Sequence, residues 1–136
     1  MTEPLRAVPM IHVPDVRATV AWYRSVGFRL EETYADGGDG WSFAIMSFGD
    51  SQVMFNSGGT GSEARRREVD LYAYCADVDG QFDRLPDHIE VVEDLHDTFY
   101  GNREFIVRDV NGFWVTFAQV LPDVPMQGTS VHDGPG

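Results

Sequence analysis

The chain states one structural plan twice. Asp15 and Asp77, 62 residues apart, each follow an alternating apolar stretch and precede apolar residues at helical spacing. Val16, Val20 and Tyr23 follow the first, and Val78, Phe82 and Leu85 follow the second, at i, i+4 and i+7 in both copies. Residues so spaced share one helix face, and an Asp just ahead of them can cap the free N–H groups of the first turn. A duplicated strand–helix unit followed by more strands predicts an α+β fold: two tandem βαβββ modules forming a curved sheet with a concave pocket.

The boundaries follow from turn and breaker residues. Residues 7–13 read as a strand with Pro9 near its start, and a helix from Asp15 is stopped by Gly27. Phe28–Tyr34, Trp41–Phe48 and Gln52–Asn56 read as strands, so the first module spans 1–57. Residues 58–68 are a glycine-rich and then basic linker. The second module, 69–120, reads as a strand at Val69–Ala76, a short helix at Asp77–Leu85 stopped by Pro86, and a strand at Ile89–Val92. Asp94–Asn102 is expected to be a loop or irregular strand, and Phe105–Arg108 with Phe113–Val120 a closing hairpin around Asn111-Gly112. Residues 121–136, rich in Pro, Gly, Asp and Ser, are expected to form a disordered tail, leaving one structural domain overall.

Strand alternation then sorts the side chains. Leu71, Ala73 and Cys75 form an apolar face for the helix, so Asp70, Tyr72 and Tyr74 point the other way. On the last strand Phe113, Val115 and Phe117 face the core, leaving Trp114, Thr116 and Ala118 opposite. Carried back by the repeat, the same face holds Met10 and His12, with Met54 and Asn56 beside them. Large aromatics with a few polar groups are what a small-molecule site requires. Tyr72, Tyr74 and Trp114 offer stacking and cation–π faces and Asp70 a charge partner, so a flat, partly cationic ligand would suit it.

Charge narrows the partners. Lys and Arg number 10 against 22 Asp and Glu, a net −12 that repels nucleic acid and anionic membrane surfaces. No run reaches membrane-spanning length, the N-terminus lacks the pattern of a secretory leader, and the single Cys75 excludes an internal disulfide, so a cytoplasmic location is expected.

The chain resembles the vicinal-oxygen-chelate superfamily of glyoxalases, extradiol dioxygenases and bleomycin-resistance proteins over roughly residues 6–120. The marks are Val8-Pro9, Asp15-Val16 leading to Trp22-Tyr23 and Gly27-Phe28, and Ala76-Asp77-Val78-Asp79. Further along come Tyr100-Gly101-Asn102-Arg103-Glu104-Phe105 and Arg108-Asp109-Val110-Asn111-Gly112. The resemblance implies the glyoxalase/bleomycin-resistance fold, and it adds Tyr100 and Arg103 to the ligand-binding candidates. Metal-dependent members carry His, Glu or Gln at four points, which fall here on Val8, Met54, Asp70 and Thr116. Such a set would not hold a hard divalent ion, so no metal or other cofactor is expected. The bleomycin-resistance-like branch implies a metal-independent homodimer that sequesters an antibiotic. The competing expectation is a glyoxalase- or dioxygenase-like lyase or isomerase, using an atypical metal or His12 or Asp70 as a base. A third is an interaction domain whose aromatic face is a subunit contact.

Plainer roles compete at several positions. His12 can be a packed histidine, and Asp70 can pair with Arg103 or a backbone donor. Arg103 and Glu104 can form an ion pair that sets their loop. Gly58-Gly59-Thr60-Gly61-Ser62 mimics a phosphate loop but has no following Lys, which favours a linker. Cys75 reads as an inert core hydrophobe.

Overall fold

A computed structural model of the protein describes residues 4–35, 38, 40–63 and 68–122. The expected tail beyond Pro122, the Arg65–Arg67 run and part of the Ala35–Gly40 turn lie outside the described residues. The chain forms two compact units, the first comprising Met1–Glu68 and Asp109–Phe113, the second Val69–Arg108 and Trp114–Gly136.

The first unit runs β1 (Met10–Val13), α1 (Val16–Ser25), β2 (Arg29–Ala35), β3 (Trp41–Phe48) and β4 (Ser51–Ser57). The second runs β5 (Asp70–Tyr74), α2 (Val78–Asp83), β6 (Glu90–Asp97), β7 (Asn102–Arg108) and β8 (Trp114–Val120). Each makes a four-stranded mixed sheet, in the orders β1-β4-β3-β2 and β5-β8-β7-β6. The repeat extends to register. Met10 lies opposite Met54 in the parallel β1–β4 pair, and Tyr72 lies opposite Thr116 in the parallel β5–β8 pair, each partner displaced by the same 62 residues. The α+β fold of two βαβββ modules is therefore the one the sequence predicts.

Helix starts and stops have local causes. The Asp15 carboxylate accepts from Ala18 N at 2.9 Å, and the Asp77 carboxylate accepts from Gly80 N at 3.0 Å. Gly27 ends α1 at φ 110°, a left-handed conformation, while Phe28 N donates to Tyr23 O at 3.0 Å. α1 buries Val16, Thr19, Val20, Trp22 and Tyr23. Tyr23 packs on Phe28 and Phe55 with ring centroids 5.0 and 4.9 Å away. In the second unit Phe105 sits between Phe82 and Phe117, at 5.0 and 5.2 Å. Complete burial of one such side chain contributes about 1.5–3 kcal/mol.

Several strand boundaries differ from expectation: β5 ends at Tyr74 rather than Ala76, and β7 begins at Asn102 rather than Phe105. β1 begins at Met10 rather than at residue 7, although Pro9 O still accepts from Met54 N at 2.9 Å. β6 continues through Asp97, so of the loop or irregular strand expected over Asp94–Asn102 the first part is an irregular strand. Its register against β7 shifts between Val91 and Glu93 and again between Glu93 and His96. Bulges of this kind erase the period-two signal while keeping the pairing.

The glycine-rich stretch after β4 packs backbone against backbone. Gly59 N donates to Val13 O at 3.2 Å, and a Cβ on Gly59 would lie 2.1 Å from His12 O. Ser62 N donates to Asn111 O at 2.7 Å, and a Cβ on Gly112 would meet Ser62 O at 2.2 Å. Close approach explains these glycines without any phosphate.

Candidate functional site

The residues expected at the site divide by unit. Met10, His12, Met54 and Asn56 lie on β1 and β4 of the first, where Asn56 Nδ2 approaches Met10 Sδ at 3.7 Å and His12 is exposed. Asp70, Tyr72, Tyr74, Tyr100, Arg103, Trp114 and Thr116 belong to the second.

In the second unit, β5 alternates as predicted. Ala73 is buried, while Tyr72 and Tyr74 are 41% and 55% exposed, their ring centroids 5.3 Å apart. β8 does not show the open face expected of it, because Thr116 and Ala118 are as buried as Val115 and Phe117. Thr116 Oγ1 donates to Asp70 Oδ1 at 3.1 Å, so Asp70 is held by the strand beside it. Arg103 has other partners. Its Nε and Nη2 donate to the two carboxylate oxygens of Asp97 at 2.7 and 3.2 Å, and its Nη1 reaches Asp79 at 3.2 Å. The Arg103 hydrogen bond holds the Asp97 carboxyl below its ordinary range. These partners, Asp97 and Asp79, differ from Asp70 and Glu104, the plainer pairings that the sequence leaves open.

The residue missed is Glu104. It is 3% exposed, and its carboxylate accepts hydrogen bonds from Tyr72, Tyr100 and Asn102. Tyr72 Oη donates to Oε2 in a very close contact, Tyr100 Oη donates to Oε1 at 2.9 Å, and Asn102 Nδ2 donates to Oε2 at 3.2 Å. The two phenol oxygens are 3.4 Å apart. Phe99, 92% exposed, packs edge-on to Tyr100 at 5.0 Å. A buried carboxylate without donors would be costly. With these it becomes the base of an aromatic surface formed by Tyr72, Tyr74 and Tyr100. Strand parity could have separated Arg103 from Glu104, because neighbours on a strand point to opposite faces. Nothing local names Tyr72 as the partner, 32 residues earlier in the chain.

A second buried carboxylate serves the fold. Asp109 Oδ2 accepts from Tyr23 Oη at 2.5 Å, and Oδ1 accepts from Asn111 N and Phe113 N at 2.7 and 2.9 Å. Asn111 Nδ2 continues to Thr19 Oγ1 at 3.0 Å. Burial pushes the Asp109 carboxyl above its ordinary range, against the pull of these donors. Burial first, then the Asp109 charge and hydrogen bond, push the Tyr23 phenol well up. Cys75 also lies above its usual thiol range, chiefly through burial, which disfavours a nucleophilic thiolate.

The four positions that the resemblance gives to a metal site carry few ligating atoms. In the first unit they hold the side chains of Val8 and Met54, and in the second the Asp70–Thr116 pair already bonded to itself. Among the described residues no three His, Cys, Asp or Glu side chains gather as a metal site. Nor does any described helix have the length and apolarity to cross a membrane.

The family model of the Glyoxalase/Bleomycin resistance protein/Dioxygenase superfamily matches residues 7–117. No curated protein matches the chain in sequence. Among solved structures, TioX from Micromonospora sp. ML1 superposes with a TM-score of 0.68 at 22% identity, covering 88% of this chain and 99% of its own. A bleomycin-binding protein complexed with bleomycin gives 0.65 at 14% identity, with 85% and 98% covered. The fosfomycin resistance protein FosX from Mesorhizobium loti gives 0.64 at 14% identity, with 90% and 96% covered. At these identities the structural matches establish the fold alone.

Proposed function

We propose that this chain, which belongs to the Glyoxalase/Bleomycin resistance protein/Dioxygenase superfamily, is a metal-independent binder of a small organic molecule that acts by sequestration. The observation that carries this reading is the half-exposed aromatic surface of Tyr72, Tyr74 and Tyr100 over the buried Glu104 carboxylate. Exposed tyrosines held rigid by hydrogen bonds offer flat faces at little entropic cost, which favours a planar ligand. The donor set at Val8, Met54, Asp70 and Thr116 supports metal independence. Antibiotic resistance is the biological role this reading favours, supported by a bleomycin-binding protein and a fosfomycin resistance protein of the same fold. A homodimer, which the family resemblance implies, and a cytoplasmic location, which the composition favours, complete this reading.

Elemental analysis of the untagged protein, before and after addition of Zn, Ni, Mn or Fe(II), tests the first half of the proposal. The expected result is no near-stoichiometric metal. About one tightly held ion per chain overturns metal independence and puts lyase, isomerase or dioxygenase assays first. The second half is tested by thermal-shift screening of bleomycin, fosfomycin and aromatic cations, with product analysis of any stabilising compound. Saturable stabilisation with the compound recovered intact supports sequestration; chemical turnover overturns it.

A further inference from the structure

Glu104 determines which ligands the aromatic surface accepts, we propose, by fixing the direction of the tyrosine hydrogen bonds. The inference rests on the small-molecule reading above and adds to it a specificity-determining residue and a ligand class. A phenol has one hydrogen to donate and lone pairs to accept with. The hydrogens of Tyr72 and Tyr100 both go to the Glu104 carboxylate. Both hydroxyls therefore meet an incoming molecule as acceptors, and their 3.4 Å separation lets one ligand group address both. The ring faces of Tyr72 and Tyr74 add the negative side of the aromatic quadrupole.

Charge points the same way. Residues 69–108 and 114–122 carry ten Asp or Glu and three Arg. Of the arginines, Arg103 is engaged by Asp97 and Asp79, and Arg108 pairs with Glu90 at 3.2 Å. The surface therefore selects flat molecules bearing N–H donors on a cationic group, amidinium or guanidinium, and rejects carboxylates and phosphates. A mere excess of negative charge would attract any cation. The fixed phenols further require that the cation have hydrogens to give.

The test is an NMR titration of the 15N-labelled protein at constant ionic strength with benzamidinium, benzyltrimethylammonium and benzoate. The three share a ring and differ in charge and donors. Benzamidinium should shift the amides of Tyr72, Tyr100 and Glu104, binding about tenfold tighter than benzoate and measurably tighter than benzyltrimethylammonium. Glu104→Gln should collapse the benzamidinium–benzoate ratio to about twofold, since the Gln amide makes one phenol turn its hydrogen outward. Tyr100→Phe keeps the carboxylate and deletes one acceptor; it should remove the advantage of benzamidinium over benzyltrimethylammonium. If Glu104→Gln does not give a dispersed spectrum, Tyr100→Phe and Tyr72→Phe, at half-exposed positions, carry the test. Equal binding of all three probes to the wild type overturns this inference while leaving the small-molecule reading standing. So does a preference for benzamidinium over benzyltrimethylammonium that survives both Tyr100→Phe and Tyr72→Phe. No saturable shift at the aromatic surface with any probe overturns both.

Discussion

Replacing Tyr23 with Phe isolates a single hydroxyl in the best-defined polar network of the fold. The ring contacts with Phe28 and Phe55 stay, so no cavity opens. The hydrogen bond of 2.5 Å to Asp109 Oδ2 is what disappears. Asp109 is 5% exposed, and the amides of Asn111 and Phe113 donate to its other oxygen. A hydrogen bond to a buried charge contributes about 1.5–3 kcal/mol, so Tyr23→Phe should cost about 2 kcal/mol at pH 7. The cost should depend on pH. Asp109 is already raised by burial, and losing Tyr23 raises it further. A carboxyl raised in the folded state favours folding below its unfolded pKa of about 4, and that contribution is lost as pH climbs through the folded value. As pH falls toward 4, Asp109 takes up its proton more readily than an ordinary carboxyl, and the cost should fall toward about 1 kcal/mol, the worth of a neutral bond. Tyr23 is itself raised, so the wild type should also lose stability above about pH 10, a loss the Phe variant cannot show. Urea unfolding at several pH values measures all three. A cost under about 0.5 kcal/mol at pH 7, or one equal at pH 4 and pH 7, would refute the assignment of Asp109 as a buried charge held by Tyr23.

Other substitutions probe the same account. Gly59→Ala places a Cβ 2.1 Å from the His12 carbonyl, so chemical denaturation should show a loss of at least about 2 kcal/mol; wild-type stability would mean that the strap after β4 does not lie against β1. Asp15→Ala removes the cap on Ala18 N and should cost about 1 kcal/mol by the same assay, while Asp15→Asn should recover most of it. Thr116→Val leaves shape unchanged but strips Asp70 of its 3.1 Å partner, and should cost about 1–3 kcal/mol in urea unfolding.

What could be read from sequence follows physical range. The helices were legible because Asp15 and Asp77 act on groups three residues away. The parallel pairs were legible because one offset carries Met10↔Met54 onto Tyr72↔Thr116. Tyr72 and Tyr74 were placed by alternation on a strand with one open face. Alternation failed on β7 and β8, where Glu104–Val107 and Val115–Ala118 are buried on both faces. Glu104 was missed although parity sets it opposite Arg103. Its environment is built by Tyr72 from another strand, and no local pattern encodes such a partner. The ion-pair partners of Arg103 were not legible because charge alone cannot choose among the ten acids of residues 69–108; the fold chooses Asp97 and Asp79 by bringing α2 and β6 beside it.

The most direct test of the central claim is to map where an aromatic cation binds on chelator-treated protein by amide chemical shifts, then recover the ligand and weigh it. The account predicts saturable shifts centred on Tyr72, Tyr74, Tyr100 and Glu104 without added metal, and a ligand of unchanged mass. Binding that requires a metal ion, shifts that avoid those four residues, or a ligand returned with altered mass would contradict it.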